Sequence, residues 1–445
     1  MKKSIHRRGF LKSTALATTG IILTNPLSTL LAFNGSPNEK VVVGVIGTNS
    51  RGANLANILA IMPNAEVGYI CDVDENVLNK TIAEIEKKTG KKPKGFKDLR
   101  KLLETKDIDA VAIATPDHWH APAALLAAKA GKQVYVEKPC SHNPAEGEML
   151  IKAAQQYKCL IQMGTQRRSF PKTIEAIQSL RDGVIGRVYF ARGWYTNNRK
   201  SIGTGKTIAP PPNLDFDLWQ GPAPRNSYKD NLVHYNWHWF WHYGTGEACN
   251  NGTHEMDIMR WGLGVNFPTK VVSAGGRFHY KDDWETPDTQ TITYEFDNNT
   301  AFTWEGRSCN NFNSEGGGRG VIFYGEKGVM AFTGGDEYKI YDMENKLVKE
   351  VKSPLEAADG TNPTGMGDKL DEFHLDNFVN SVRGKATLNC PITIGQVSTL
   401  LPQLGNIAFR TGKALHCDTS NGHIKDEDAM KLWSREYEKG WEMKL

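Results

Sequence analysis

Near its start the chain reads Val41-Val42-Val43-Gly44-Val45-Ile46-Gly47-Thr48-Asn49-Ser50-Arg51-Gly52, a β-branched run that ends in a glycine-bearing turn. Residues 53–62 then have a helix-like composition, and strand, loop and helix in this order are typical of a dinucleotide-binding unit. Gly47 and Gly52 stand at the first and third glycine positions of G-x-G-x-x-G, with Asn49 at the second, and asparagine tolerates a positive φ. Because such a turn and a helix N-terminus both favour a pyrophosphate, we predict a phosphate-binding loop here. Its predicted cofactor-binding residues are Gly47, Thr48, Asn49, Arg51 and Gly52.

An acidic residue follows the next apolar run. Residues 67–71 end at Asp72, at about the spacing where a carboxylate binds the hydroxyls of the adenosine ribose. No arginine adjoins Asp72, and a carboxylate would repel the 2′-phosphate of NADP, so the predicted cofactor is NAD rather than NADP. An ordinary strand, turn and helix in an α/β core is the alternative interpretation of the loop alone. Because Asp72 follows the loop and helix at the expected spacing, we favour the interpretation as a cofactor site.

Length and composition indicate a soluble globular protein of two or three domains, with 445 residues, 39% hydrophobic and 23% charged. Strand-like and helix-like segments alternate over residues 40–163, which predicts a parallel Rossmann sheet. Over residues 164–445, period-two segments follow one another without helices between them and two helices come near the end. This pattern predicts an α+β domain with a large, mostly antiparallel open sheet. The predicted fold class is therefore α/β, a Rossmann dinucleotide-binding domain followed by a C-terminal α+β domain.

The first 32 residues resemble a twin-arginine export signal, and residues 33–39 read as a linker. Arg7-Arg8 precedes Phe10-Leu11-Lys12, no acidic residue occurs before Glu39, and the apolar stretch that follows is too short to span a bilayer. A basic amphipathic helix is the alternative. We expect export to the periplasm or another extracytoplasmic space, with no stable membrane insertion after signal removal. Five of the 54 basic residues lie in this segment, so 49 face 50 acidic residues in the remainder, a balance that gives no support for nucleic-acid binding.

The seven cysteines are scattered along the chain. None forms a C-x-x-C pair or a metal-binding spacing, so we predict mostly buried free thiols. An exported protein often carries disulfides, but a chain that folds before export folds in a reducing cytoplasm.

Two further polar segments follow strands of the predicted parallel sheet. Residues 108–114 lead into Thr115-Pro116-Asp117-His118-Trp119-His120, and residues 134–136 lead into Glu137-Lys138-Pro139. Ligands of such sheets bind beyond the carboxyl ends of the strands, so both segments should line one crevice with the phosphate-binding loop. Burial there would lower the pKa of Lys138 toward proton transfer, whereas the alternative is a surface lysine paired with Glu137. The predicted cofactor-binding residues of these and the following strand end are Thr115, Pro116, His118, His120, Glu137, Lys138 and Gln166.

The richest polar segment spans residues 234–257. Its second half reads as a glycine-containing turn that enters a helix, on which Asn250, His254 and Asp257 would share one face. A histidine held by an aspartate is a suitable acid or base for an alcohol proton, so Asn250 and His254 join Lys138 as predicted catalytic residues. The alternative is a structural histidine in a buried network.

The first half of this segment places His234, His238 and His242 four residues apart, with tryptophans between them. If helical, the histidines could share a metal-binding face. No cysteine or carboxylate supports such a site, and we predict no metal. Exposed aromatic faces instead suit the apolar faces of sugar rings, with an aromatic core segment as the alternative. The predicted substrate-binding residues are Arg167, Arg168, Trp237, His238, His242 and Asp257.

Together these motifs resemble the Gfo/Idh/MocA family of nicotinamide-dependent sugar oxidoreductases over about residues 40–412. The resemblance is carried by Gly44–Gly52, Asp72, Ala114-Thr115-Pro116 with His120, Glu137-Lys138-Pro139 and Gly252-Thr253-His254-Glu255-Met256-Asp257. It implies a Rossmann domain and an α/β domain whose open sheet often mediates homo-oligomerisation, with Lys138 and His254 as the catalytic pair. In many members an aspartate stands four residues before the histidine, where this chain has Asn250.

The resemblance and the export signal together imply a function. We expect an NAD-dependent oxidoreductase that acts on a hydroxyl of a sugar, glycoside or cyclic polyol and keeps its cofactor tightly bound, because little free cofactor exists outside the cytoplasm. One alternative is an NAD-dependent glycoside hydrolase, in which transient oxidation acidifies a neighbouring C–H, allows elimination, and ends in re-reduction. A second alternative is a non-catalytic periplasmic sugar-binding protein with structural NAD.

Overall fold

The structure is a computed structural model that describes residues 40–313, 316–353 and 365–445. The predicted export signal and the predicted linker lie outside the described residues. Among the described helices, none combines the length and the apolar composition needed to cross a membrane.

Six parallel strands form the N-terminal sheet in the order β3-β2-β1-β4-β5-β6. This is the strand order of the Rossmann fold, so the prediction is confirmed. β1 is almost wholly buried because helices cover both faces of a parallel sheet. The strands are β1 (Val41–Ile46), β2 (Ala65–Cys71), β3 (Lys94–Phe96), β4 (Ala110–Ile113), β5 (Gln133–Val136) and β6 (Ile161–Met163). The helices between them are α1 (Arg51–Ile61), α2 (Glu75–Thr89), α3 (Leu99–Leu103), α4 (Asp117–Lys129) and α5 (Pro144–Gln156).

A nine-stranded sheet dominates the second part of the chain, in the order β14-β13-β12-β11-β7-β10-β9-β8-β15. Within it, only β7 and β10 pair in parallel, so the predicted mostly antiparallel sheet is confirmed. Burial alternates along β10, whose Phe302 and Trp304 enter the core beneath the helices. The strands are β7 (Val188–Thr196), β8 (Lys270–Gly276), β9 (Thr289–Glu295), β10 (Ala301–Arg307), β11 (Arg319–Gly325), β12 (Gly328–Phe332), β13 (Tyr338–Tyr341), β14 (Leu347–Val351) and β15 (Leu415–His416). The helices are α6 (Pro171–Arg181), α7 (Phe216–Gln220), α8 (Thr253–Leu263), α9 (Gly365–Val382), α10 (Ile392–Thr411) and α11 (Glu427–Met430).

Helix α9 belongs to the core of the Rossmann sheet although it comes late in the chain. Leu375, Phe378 and Val379 are at most 1% exposed and pack with the buried side chains of β1 and α1. Helix α10 packs instead beneath the second sheet, where Leu401 and Leu404 are fully buried. The two closing helices thus complete two different cores.

Residues 197–236 form a long connection with a small apolar cluster of its own, which includes Leu214, Trp219 and Tyr228. The connection is fixed to the end of β2. Asp74 forms an isolated bridge with Leu214 and accepts a hydrogen bond from the side chain of Asn213 (2.8 Å). The connection therefore runs over the carboxyl ends of the parallel strands, where cofactors bind.

All seven cysteines are buried free thiols, which confirms that prediction.

Candidate active site

A cavity of about 510 Å³ opens at the carboxyl ends of the parallel strands and extends to helix α8 and strand β11. Its size is that of a small-molecule or cofactor site. Most of the predicted site residues line it: Gly47, Asn49, Arg51, Asp72, Thr115, Pro116, His120, Glu137, Lys138, Gln166, Arg167, Trp237, His238, Asn250 and His254. The predicted residues that do not line it are Thr48, Gly52, His118, Arg168, His242 and Asp257.

The phosphate-binding loop depends on two glycines. Gly47 has φ +77°, and an added Cβ would lie 2.8 Å from the backbone nitrogen of Thr115. At Gly52 an added Cβ would lie 1.7 Å from the carbonyl oxygen of Gly47, so no larger residue fits the start of α1. The non-glycine residue with a positive φ is Ser50 (59°) rather than Asn49, where the sequence suggested it. Thr48 and Gly52 shape the loop without facing the cavity.

Asp72 closes the far side of the loop at the end of β2. Its carboxylate accepts hydrogen bonds from the backbone N–H groups of Thr48 (2.7 Å) and Asp74 (2.9 Å). Burial raises the pKa of Asp72 above its ordinary value. The carboxylate lines the cavity beside the loop, so loop and acidic residue form one surface.

Arg51 connects three parts of the site. Its Nε donates to Glu137 Oε1 (2.9 Å), and Nη1 and Nη2 donate to the two carboxylate oxygens of Asp371 (2.6 and 2.9 Å). Gln166 also donates to Glu137 Oε1 (3.1 Å). Burial alone would raise the pKa of Glu137, but Arg51 and Lys138 lower it below the ordinary value. Loop, strand end and helix α9 are thus held together by charge-assisted hydrogen bonds.

Lys138 is half-buried at the end of β5 and faces helix α8. Its Nζ donates to the backbone oxygen of Asn250 (2.5 Å) and to the side-chain Oδ1 of Asn250 (3.0 Å). Glu247 accepts from the amide nitrogen of Asn250 (3.3 Å), which leaves the amide oxygen for the lysine. Burial lowers the pKa of Lys138. Asn250 lies in a π-helical turn, Ala248–Gly252, a feature frequent at functional sites.

His254 lines the cavity but is not held by Asp257, and this corrects the sequence interpretation. Within the described part of the chain the imidazole of His254 makes no hydrogen bond. Asp257 is 1% exposed and accepts three hydrogen bonds from Arg168, at 2.7 to 2.9 Å, and one from Ser398. A buried carboxylate requires a partner, and the guanidinium supplies it. Burial, with Arg319 and Lys138 nearby, lowers the pKa of His254 well below its ordinary value, so the imidazole is neutral.

The three histidines spaced four apart do not share a helical face. Only Asn236–Trp239 is helical, as a short 3₁₀ turn. His234 contacts Asp74 Oδ2 (3.0 Å), His238 contacts the carbonyl of Tyr235 (2.6 Å), and His242 contacts that of Pro224 (2.7 Å). Trp237 stacks on His238 with ring centroids 3.6 Å apart, and both line the cavity.

His118 is a core residue. It is fully buried, its Nε2 contacts the carbonyl of Trp219 (3.0 Å), and its ring packs against Trp219 and Tyr243. The first turn of α4 points it toward the 197–236 connection, whereas His120 faces the cavity between the carbonyls of Thr115 and Pro139. Residues two positions apart on a helix point to different sides, which explains why His118 and His120 differ. The sequence pattern did not define where this helix begins.

Several cavity residues were not among the predicted site residues. Arg319 begins β11, and its Nε donates to Glu255 Oε1 (2.9 Å). Asp371 belongs to a helix more than 300 positions from the arginine that it binds. Asp117 belongs to the segment 115–120 quoted in the sequence analysis. Its position at the start of a helix could have identified it as a cavity residue. The cavity residues absent from the sequence prediction include Asp117, Trp219, His234, Tyr235, Arg319 and Asp371.

Comparison with known proteins agrees with this architecture. The family profile described as "Oxidoreductase family, NAD-binding Rossmann fold", of the Gfo/Idh/MocA group, matches residues 41–165. Its companion, "Oxidoreductase family, C-terminal alpha/beta domain", matches residues 197–443. Together the two profiles cover most of the chain.

Two solved structures have a similar fold. An aldose–aldose oxidoreductase from Caulobacter crescentus complexed with glycerol aligns with a TM-score of 0.65 at 15% identity, covering 85% of this chain and 100% of that chain. A levoglucosan dehydrogenase in complex with NADH and levoglucosan aligns with a TM-score of 0.64 at 18% identity, covering 85% and 99%.

By sequence the chain is similar to a glycosyl hydrolase family 109 protein of Shewanella baltica (strain OS185). Identity is 28% over 211 residues, which cover 43% of this chain and 46% of the relative. The chain thus spans about half the length of the curated relatives it matches.

Proposed function

Because the chain belongs to the Gfo/Idh/MocA oxidoreductase family, we propose that it is an NAD-dependent oxidoreductase that acts on a hydroxyl group of a sugar, glycoside or cyclic polyol. One observation carries this proposal: Lys138 and His254 line the same cavity as the phosphate-binding loop and Asp72. A proton-transfer pair and a nucleotide-binding surface in one cavity suit hydride transfer from an alcohol.

The residues present fit a dinucleotide. Gly52 allows the start of α1 to pack closely against the Gly47 carbonyl, and the N-terminus of α1 favours the negative charge of a pyrophosphate. Asp72 would hold the adenosine ribose hydroxyls, and its carboxylate supports NAD over NADP. Bound NAD supplies the hydride acceptor.

The chain's own residues handle the proton. The neutral imidazole of His254 accepts the proton of the substrate hydroxyl. Lys138, oriented by the two oxygens of Asn250, donates a hydrogen bond to the oxygen on which negative charge develops. Trp237 and His238 offer a flat wall for the sugar ring.

A second candidate function is redox-assisted glycoside hydrolysis, which the likeness to family 109 glycosyl hydrolases favours. In that cycle the hydride leaves a ring carbon and later returns to it. Between these steps a base removes the acidified C–H proton, the glycosidic substituent leaves, and water adds. Lys138 and His254 would serve both cycles. The two cycles differ in outcome, because only the oxidoreductase leaves the sugar oxidised.

We also propose that the protein is exported by the twin-arginine route with NAD tightly bound, and that copies associate through the open face of the second sheet. Arg7-Arg8 supports the first. The partly exposed Tyr189 and Val272 on strands of that sheet support the second.

The test begins with full-length protein purified without added cofactor. We expect nicotinamide absorbance on release by denaturation, and reduction of bound NAD when a panel of sugars, glycosides and inositols is added. Lasting reduction supports the oxidoreductase, whereas glycoside cleavage without lasting reduction supports the hydrolytic cycle. Bound cofactor with neither reaction would overturn both in favour of a sugar-binding protein.

Variants sharpen the test. Lys138→Ala should lower turnover by about 10²- to 10⁴-fold, the usual contribution of a positioned proton-transfer group. Lys132→Ala is the matched control, because Lys132 is a buried lysine that donates to the carbonyls of Thr105 and Ile108, away from the cavity. Equal losses per folded molecule would end the assignment of Lys138. Asp72→Ala should reduce the NAD content and admit NADP.

A further inference from the structure

Two arginines from distant parts of the chain meet on the wall of the cavity. Arg167 lies in the 3₁₀ helix Gln166–Ser169 after β6, and Arg319 is the first residue of β11. Gly334 brings them together: its carbonyl accepts a hydrogen bond from Arg167 Nη2 (2.8 Å). The stem of Arg319 packs on the same glycine, where an added Cβ would lie 3.0 Å from Arg319 Cγ. Both side chains line the cavity beside His254.

One carboxylate serves both arginines. Glu255 is fully buried, and its Oε1 lies 2.8 Å from Arg319 Nη2 and 3.9 Å from Arg167 Nη1. The next acidic residue on the helix, Asp257, is occupied by Arg168. Two guanidinium groups therefore face a single carboxylate here.

The other carboxylates that line the cavity have partners elsewhere. Glu137 and Asp371 bind Arg51, Asp98 binds Arg100, Asp117 accepts from Thr245, and Asp72 accepts from the phosphate-binding loop. The two guanidinium groups beside His254 therefore share Glu255 as their directly contacting carboxylate. Burial, together with the neighbouring Arg319, lowers the pKa of Arg167 to about 10. An uncompensated buried charge is unfavourable, and an anionic ligand would offset it.

The arginines have free donors in fixed positions. Within the described residues, Arg167 Nε and Arg319 Nη1 donate no hydrogen bond. The Arg319 guanidinium is held by Glu255 on one side and lies over the ring of Tyr195 at 5.3 Å. The Arg167 side chain is 9% exposed and that of Arg319 is 29% exposed, so an anion between them would lose much of its water. Guanidinium forks match the planar or tetrahedral oxygens of oxyanions.

We propose that Arg167 and Arg319 bind an anionic substituent of the substrate, so that this site acts on an acidic sugar, one that carries a carboxylate, sulfate or phosphate group. The inference rests on the proposed function of the cavity and names its substrate class. The sugar ring then lies between this pair and the wall of Trp237 and His238, with its reacting hydroxyl toward His254 and Lys138.

The test compares matched sugars on the full-length protein with its bound cofactor. Glucuronate, glucose 6-sulfate, glucose 6-phosphate and neutral glucose are titrated by calorimetry, and reduction of bound NAD is followed in parallel. We expect at least one anionic sugar to bind about 10- to 100-fold more tightly than glucose, as charge-assisted hydrogen bonds to a partly buried arginine pair imply. Which of the three binds best identifies the anion.

Arg319→Gln should abolish this preference, because it should lower the affinity for the anionic sugar far more than the affinity for glucose. Arg187→Gln is the control, since Arg187 is an exposed arginine paired with Glu326 on the same domain. If Arg319→Gln does not fold, Arg167→Gln and the salt dependence of wild-type binding replace it. Glucose binding as tightly as every anionic sugar would overturn the proposal, as would equal losses for charged and neutral sugars. Calorimetry does not require turnover. If no sugar reduces the bound NAD, the oxidoreductase proposal is refuted, but the preference for anionic sugars is still measured.

Discussion

Arg167 and Arg168 are neighbours on one short 3₁₀ helix, yet their surroundings are opposite. Arg168 makes a multiply hydrogen-bonded pair with Asp257, and both side chains are at most 5% exposed. Arg167 lines the cavity and shares the distant carboxylate of Glu255 with Arg319. Glu255 and Asp257 repeat the contrast on helix α8. Asp257 is paired within the protein interior by Arg168, whereas Glu255 is shared by two arginines that line the cavity.

The contrast separates polar groups that serve the fold from those that serve a ligand. A buried pair that satisfies itself fixes how two elements pack, and removing one partner is expensive because it strands the other charge. A polar group that lines a cavity and lacks partners is available to a ligand. Variants on either side should therefore affect different measurements.

The largest expected effect is on the cavity side. His254→Ala should slow hydride transfer by about 10²- to 10⁴-fold, because it removes the group proposed to accept the hydroxyl proton. The melting temperature should change little, since the imidazole of His254 makes no hydrogen bond within the described residues. His118→Ala is the control, a fully buried histidine outside the cavity that should lower the melting temperature and leave the rate of the folded enzyme intact. A lower melting temperature with an unchanged rate for His254→Ala, and a slower rate for His118→Ala, would contradict the distinction between the two histidines.

On the interior side, Arg168→Ala should lower the free energy of unfolding by about 3–5 kcal/mol, because Asp257 would be left charged and buried. Denaturant titration measures this loss. The KM of the folded fraction should not rise. An increase in KM with unchanged stability would place Arg168 at the substrate instead.

His374 tests the interior side through pH. Its ring is fully buried between Met163 O (2.9 Å) and Ser169 Oγ (2.7 Å), and burial lowers its pKa from 6.5 to about 4. Between these values the unfolded chain binds the proton more readily than the folded one, so stability falls as the pH falls from 6.5 to 4. The loss should reach about 3 kcal/mol. His374→Gln should flatten this dependence, and an unchanged slope would contradict the assignment.

The smallest effect concerns His242, which contacts Pro224 O outside the cavity. His242→Ala should lower the free energy of unfolding by about 1 kcal/mol, the value of one hydrogen bond, without changing sugar affinity. His238→Ala, four residues earlier on the cavity wall, should weaken sugar binding. Calorimetry on both variants compares the two positions, and weaker sugar binding in His242→Ala would contradict the distinction.

The fold and the nucleotide half of the site could be predicted because their signals are local. Gly47, Gly52 and Asp72 follow strands of a parallel sheet, and topology alone brings such strand ends together. Lys138 was predictable for the same reason. Backbone geometry at the loop and the order of the strands leave few alternatives.

The substrate half was less predictable because tertiary contacts arrange it. Helical spacing predicted that Asp257 would hold His254, but the carboxylate is paired instead with Arg168 from another element. The spacing of His234, His238 and His242 implied a helix that forms only over one short turn. Arg319 and Asp371 reach the cavity from remote segments whose local pattern contains no motif.

Helix α9 has a consequence for biosynthesis. Its Leu375, Phe378 and Val379 fill the core that β1 and α1 begin, and its Asp371 holds Arg51 at the phosphate-binding loop. A chain emerging from the ribosome therefore carries an uncovered apolar face on its Rossmann half until nearly all of the protein has been translated. The nucleotide-binding half is the first to be synthesised, but its core is completed only when α9 has been translated, so nascent chains should depend on chaperones until then.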